Sequence, residues 1–206
     1  MNKKTLLWLG VAALLLIAAA LMLGRRPDVS GAGGGERPPL AGAAIGGPFA
    51  LIDQDGQPFD SQRLHGRYAL IYFGYTYCPD ICPVDLQRLM QGLKKFEKQS
   101  PDRAARVQPV FITVDPERDT PAAVKQFTRA FHPRLIGLTG DRPAIDAALK
   151  AYRVYARKAG PADSKEYLID HSANGFLFDP EGRPMVLFAS DDTPDAIAAL
   201  LDRWVK

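Results

Sequence analysis

The stretch Leu70–Pro83, LIYFGYTYCPDICP, limits what this chain can fold into more than any other. It opens on a continuous apolar run, Leu70-Ile71-Tyr72-Phe73, the pattern of a strand buried on both faces of a sheet. The run breaks at Gly74, passes through Tyr75-Thr76-Tyr77 and ends on Cys78 and Cys82, each followed by proline. Beyond Pro83, Leu86, Leu89, Met90, Leu93 and Phe96 recur at helical spacing. That predicts a helix to about Ser100, with Pro83 able to take its first position. The cysteines therefore stand where a buried strand hands over to a helix. In open α/β folds that is the edge where ligands bind.

The rest of the chain supplies the partners such a strand needs. Phe49–Asp53 and Gln57–Asp60 flank the turn pair Asp55-Gly56 and read as a short hairpin. Val107–Val114 is a second buried strand and Leu135–Thr139 a third. Helices are predicted over Ala122–Phe131, capped by Thr120-Pro121, and from Asp141 or Arg142 to about Tyr152. Ala156–Lys165 reads as a polar loop. Gly175–Asp179 and Met185–Ala189 flank the turn Pro180-Glu181-Gly182, and Thr193-Pro194 caps a closing helix, Asp195–Val205. Parallel strands joined by helices, then a hairpin and a last helix, predict an α/β thioredoxin-like sandwich over residues 49–206.

Ahead of it, Thr5–Leu23 holds nineteen residues and no charge. As a helix it would be about 28 Å long, close to a bilayer's hydrocarbon thickness. Residues 1–26 thus read as a single transmembrane anchor with basic flanks, Lys3-Lys4 and Arg25-Arg26. A cleaved signal peptide is the competing reading, with Ala18-Ala19-Ala20 near a cut. Residues 27–48, rich in Gly, Ala and Pro, read as a flexible tether. The net charge is +3, of which residues 1–26 carry +4, so the body is nearly neutral. That excludes nucleic acid as a partner and favours a membrane surface. The Ala-, Arg- and Gly-rich composition, without a Ser-rich transit peptide, favours a bacterial inner membrane with the domain in the periplasm. The mitochondrial inner membrane is the alternative.

Two cysteines, and only two, exclude a disulfide-rich scaffold. At i, i+4 they share one face of a turn or helix, and the helix N-terminus favours their thiolates. A dithiol oxidoreductase is normally one residue tighter, Cys-x-x-Cys. A peroxiredoxin needs threonine three residues before its cysteine, where Tyr75 and Pro79 stand. A structural zinc site needs four ligands. Two thiolates and one imidazole suit copper(I). Of the three histidines, His65 lies in a turn, His132 ends a helix, and His171 leads into the last strand pair. Only His171 has a context suggesting a ligand.

Several stretches together carry a resemblance: Asp53-Gln54-Asp55-Gly56, Tyr72–Pro83 (YFGYTYCPDICP), Thr113–Pro121 (TVDPERDTP), Tyr167–Ser172 (YLIDHS) and Phe178–Gly182 (FDPEG). With these the chain resembles the Sco (SenC) family of copper chaperones for cytochrome c oxidase. The resemblance implies a membrane-anchored metallochaperone, not an enzyme in the strict sense, that passes copper to the oxidase's dinuclear copper site. It implies copper(I), or copper(II), held by Cys78, Cys82 and His171. Its partners would be the copper-bearing oxidase subunit or another copper chaperone, and a thiol reductant. The alternative is a thiol-disulfide reductase with Cys78 and Cys82 as its redox pair. Ala173 would replace the cis-proline of redox thioredoxins. Asp170 is a candidate partner for the imidazole, and Asp115–Asp119 reads as docking surface or helix entry.

Overall fold

The computed structural model describes residues 36–160 and 167–206. The expected anchor, Thr5–Leu23, lies outside these residues. Among the described residues no helix is long and apolar enough to cross a membrane.

The sheet is built outward from β3 (Tyr68–Gly74), whose seven residues are all buried. Strand β4 (Val107–Thr113) pairs with it in parallel, and β5 (Ile136–Thr139) pairs in parallel with β4. The first hairpin, β1 (Ala50–Asp53) and β2 (Pro58–Asp60), adds antiparallel to β5. On the other side β8 (Gly175–Phe178) and β9 (Pro184–Phe188) add antiparallel to β3. The order across the seven strands is β2-β1-β5-β4-β3-β8-β9. The turn between β1 and β2 is held by Asp53, whose Oδ1 accepts the amides of Asp55 and Gln57, both at 2.9 Å. Gly56 takes the left-handed conformation that this turn requires, at φ +78°.

Helices cover both faces. Register puts Gly175 opposite Tyr72, and Leu89 of α1 (Ile81–Gln99) sits over that glycine. On the same face Phe111 of β4 meets Phe127 of α3 (Pro121–Arg129), ring centroids 5.2 Å apart. The last helix, α5 (Pro194–Trp204), lies against α1, where a side chain at Gly92 would collide with Ile197. The opposite face carries Phe73 and Phe178, which pack on Tyr152 just past α4 (Arg142–Ala151). Short α2 (Pro101–Ala105) links α1 to β4. Three of these helices begin at side-chain caps that the sequence predicts: Thr120, Asp141 and Thr193 accept amides at 3.3, 2.8 and 3.2 Å.

Three expectations need correction. Helix α1 begins at Ile81, two residues before Pro83, so Cys82 lies in its first turn. Proline is tolerated there because first-turn amides have no helical partner to lose. The supposed polar loop 156–165 contains a strand, β6 (Ala156–Ala159), which pairs with β7 (Leu168–His171) in a separate two-stranded sheet. The tether reading of 27–48 fails from Leu40 on: Leu40 N–H donates to Met185 O and Gly46 N–H to Ala151 O, each at 3.0 Å. Leu40 thereby covers part of the free edge of β9. At Gly46 the backbone passes so close to Phe178 that a Cβ would lie 2.7 Å from its ring.

Candidate metal centre

Just past β3 the chain turns through a loop that is pinned from outside. Asp119, wholly buried, accepts the Thr76 amide at 3.0 Å on Oδ2 and the Thr76 hydroxyl at 2.6 Å on Oδ1. Oδ2 also accepts the Thr113 hydroxyl at 2.5 Å. Tyr75 is buried, Cys78 half-buried, and Cys82 buried. The cysteines are free thiols. Asp80 precedes α1 without capping it through its side chain; the Cys78 Sγ instead accepts the Cys82 amide at 3.4 Å. The sulfur thus takes one of the unpaired donors at the helix start.

His171 arrives on β7, the second strand of the small hairpin. Its Nε2 lies 2.9 Å from Cys82 Sγ, although 89 residues separate the two. Its Nδ1 lies 3.0 Å from Ser172 O, and since a carbonyl only accepts, Nδ1 carries the ring proton. The Nε2 lone pair is thereby turned toward the thiols, the orientation a ligating imidazole needs. The Tyr75 ring stands edge-on to His171 at 5.8 Å, and the Tyr75 hydroxyl accepts the Ile169 amide at 3.1 Å. Asp170 is exposed, so the imidazole's partner is the Ser172 carbonyl rather than this carboxylate.

The electrostatics divide the two thiols. Burial works to raise the Cys78 pKa, but hydrogen bonds from the Cys82 thiol and the Cys82 and Asp80 amides outweigh it and hold it below the ordinary value. Burial, with the Cys78 thiol beside it, pushes Cys82 well up. Burial also lowers the His171 pKa, against the pull of the Ser172 carbonyl and Asp170, so the ring is neutral near pH 7.

Among the described residues no three His, Cys, Asp or Glu side chains form a preassembled metal cage. Cys82 and His171 touch, while Cys78 joins them through the Cys82 amide that its sulfur accepts. A cleft of about 270 Å³ opens beside them, lined by Tyr75, Cys78, Ile81, Leu168, His171 and Ala173. No peptide bond among the described residues is cis. The donor set, two thiols and an imidazole, fits a soft or borderline ion.

The other histidines are elsewhere. His132 is buried, with Nε2 against Glu97 at 3.2 Å and Nδ1 accepting the Arg134 amide at 3.1 Å. His65 lines a separate cavity with Gly182, at the end of the sheet where β3 begins.

The loop Asp115–Asp119 corrects the docking-surface reading. Asp115 and Asp119 are fully buried, and Asp115 accepts the Tyr167 hydroxyl at 2.7 Å. Asp119 grips the cysteine loop and Asp115 the histidine hairpin. Sequence reasoning passed over Thr76, Tyr75 and Tyr167, which complete these links. The available signal was position: both acids follow directly on the buried strand β4, at the edge where the cysteines lie.

The sequence model of the SCO1/SenC family matches residues 37–206. An SCO2-like protein of Rickettsia conorii is 42% identical over 158 residues, 76% of this chain and 75% of its own length. Among solved structures, Bradyrhizobium japonicum ScoI with copper bound is 43% identical, with a TM-score of 0.69 over 78% of this chain and 99% of that one. Arabidopsis thaliana ScoI with copper bound is 40% identical, with a TM-score of 0.72 over 78% of this chain and 98% of that one.

Proposed function

The chain belongs to the SCO1/SenC family, and from that premise we propose that it is a copper metallochaperone for cytochrome c oxidase, with Cys78, Cys82 and His171 as its ligands. The observation that carries this reading is the 2.9 Å approach of His171 Nε2 to Cys82 Sγ, with Nδ1 tied to Ser172 O. The copper-bound relatives from Bradyrhizobium and Arabidopsis support copper as the cargo. Two thiolates and a neutral imidazole hold copper(I) in low coordination. Transfer runs by ligand exchange: an acceptor's donors replace the three ligands in turn, so no bare ion forms. Cys78, the more exposed and more readily ionised thiol, is the first to be exchanged.

A second activity has its own observation. Cys78 is held low and Cys82 high, the asymmetry of an attacking thiolate beside a buried resolving thiol. Such a pair would reduce an acceptor disulfide by forming one between Cys78 and Cys82, and a cellular dithiol would then restore it. His171 takes no part in that exchange, so its place at the thiols favours the metal reading.

The proposal extends to location: Thr5–Leu23 anchors the chain in the cytoplasmic membrane, with the folded body on the periplasmic side. Release of the full-length chain by alkaline carbonate would sink the anchor.

The deciding measurement is copper(I) affinity and stoichiometry of the anaerobically purified full-length chain. One equivalent is expected. His171→Ala should weaken binding by more than about a hundredfold, since loss of an outer partner alone costs about 10–100-fold. His65→Ala should change little. Parent-like affinity in the His171 variant refutes the ligand set.

A further inference from the structure

The hairpin that carries His171 forms its own two-stranded sheet, outside the seven-stranded one that ends at the cysteine loop. No shared strand ladder therefore sets His171 against Cys82. The pairing of Gly175 with Tyr72 brings the hairpin's end to the cysteine edge; side chains complete the placement, and one of them touches both parts of the site.

The Arg118 guanidinium sits among three rings. Its guanidinium carbon is 3.7 Å from the centroid of Tyr167 at the hairpin, and 4.9 and 5.8 Å from Tyr77 and Tyr75 in the cysteine loop. Its Nε donates to buried Asp115 at 2.5 Å, and Asp115 in turn accepts the Tyr167 hydroxyl at 2.7 Å. Arg118 Nη2 is buried with no hydrogen-bond acceptor. A buried donor left without a bond is costly, and a residue kept in place despite that cost calls for a reason. Cation–π contact with the rings offsets part of it. A lysine cannot replace this arrangement, because only a planar guanidinium stacks on a ring while its edge donates to a carboxylate.

We propose that Arg118 is a positioning residue that sets the His171 hairpin against the cysteine loop by stacking between Tyr167 and Tyr77 while paired to Asp115. This deepens the copper reading, on which its effect on affinity rests. Its effect on the hairpin does not depend on copper.

The test uses the full-length chain, reduced. Arg118→Lys keeps the charge beside Asp115 and loses the stack. In the metal-free protein, the Ile169 amide, which donates to Tyr75, should exchange with solvent at least about tenfold faster, while amides of Leu70–Phe73 stay as in the parent. Copper(I) affinity, measured by chelator competition, should fall by about 10–100-fold. In a His171→Ala background the same change should alter affinity less than about twofold, because the residue through which Arg118 acts is gone. Tyr167→Leu removes the stack from the other side, leaves the Arg118–Asp115 pair, and should reproduce both effects. Unchanged exchange at Ile169 in both variants overturns the proposal. Equal loss of affinity with and without His171 overturns it too. Faster exchange at Ile169 in a chain whose parent binds no copper(I) sustains the positioning role and refutes the copper reading alone.

Discussion

Asp119 holds Thr76 with both carboxylate oxygens, the backbone amide on one and the hydroxyl on the other, from a position with no solvent exposure. The pair joins the loop after β4 to the loop after β3, so the cysteine loop is shaped from outside its own sequence. Asp119→Ala strips acceptors from Thr76 and Thr113 together. The expected loss is about 3 kcal/mol or more, since each buried donor left unpaired costs about 1–3 kcal/mol. Asp119→Asn should lose less, because its amide oxygen still accepts and the hydroxyls can turn. Urea unfolding measures both. An alanine variant as stable as the parent would mean that water replaces the carboxylate at no cost.

Gly74 is the point where the apolar run of β3 stops, and the packing accounts for it. A Cβ there would lie 2.9 Å from the Tyr72 ring, 3.2 Å from the Phe111 ring and 3.4 Å from Cys82 Sγ. Gly74→Ala should cost about 1–3 kcal/mol by overpacking and displace the Cys82 sulfur. Thermal unfolding reads the first effect, and the rate of Cys82 alkylation the second. No change in either would show that Tyr72 yields freely.

Copper binding should depend on redox state. Only thiolates ligate, so a Cys78–Cys82 disulfide should abolish binding of copper(I). The fully oxidised chain, verified by thiol titration, is dialysed against copper(I) and its metal content measured. Full stoichiometry in that form would remove both cysteines from the site.

His132 makes stability depend on pH. Burial lowers its pKa below the ordinary 6.5, and Glu97 beside it offsets only part of that. The folded protein thus resists a proton that the unfolded chain accepts. This contribution is intact above about pH 6.5 and is lost as pH falls below it, by up to about 1.4 kcal/mol per pH unit until the folded value is reached. The depressed pKa of His171 works with the same sign. Urea midpoints of the metal-free chain between pH 7.5 and 5.5 should fall, and less steeply in His132→Gln. A slope equal to the parent's would clear His132 of the effect.

Local pattern was enough for much of this protein. The unbroken apolar runs of β3 and β4, the helical spacing from Leu86 to Phe96, and the caps Thr120, Asp141 and Thr193 each depend on residues within a turn or two. The α/β order and the place of Cys78 and Cys82 at a strand-to-helix junction follow from them. The tertiary structure alone decided the rest. Asp115 and Asp119 look like solvated loop acids until Tyr167, Thr76 and Thr113 arrive to satisfy them. Ala156–Ala159 is too short and too polar to declare itself a strand without Leu168–His171 beside it. Leu40 joins the body only because β9 leaves an edge carbonyl open. The sequence singled out His171, but its 2.9 Å approach to Cys82 and the Ser172 carbonyl that orients it belong to the folded chain. Periodicity records which face of an element is apolar; it carries no record of which distant polar group will meet a buried one, and those meetings build this site.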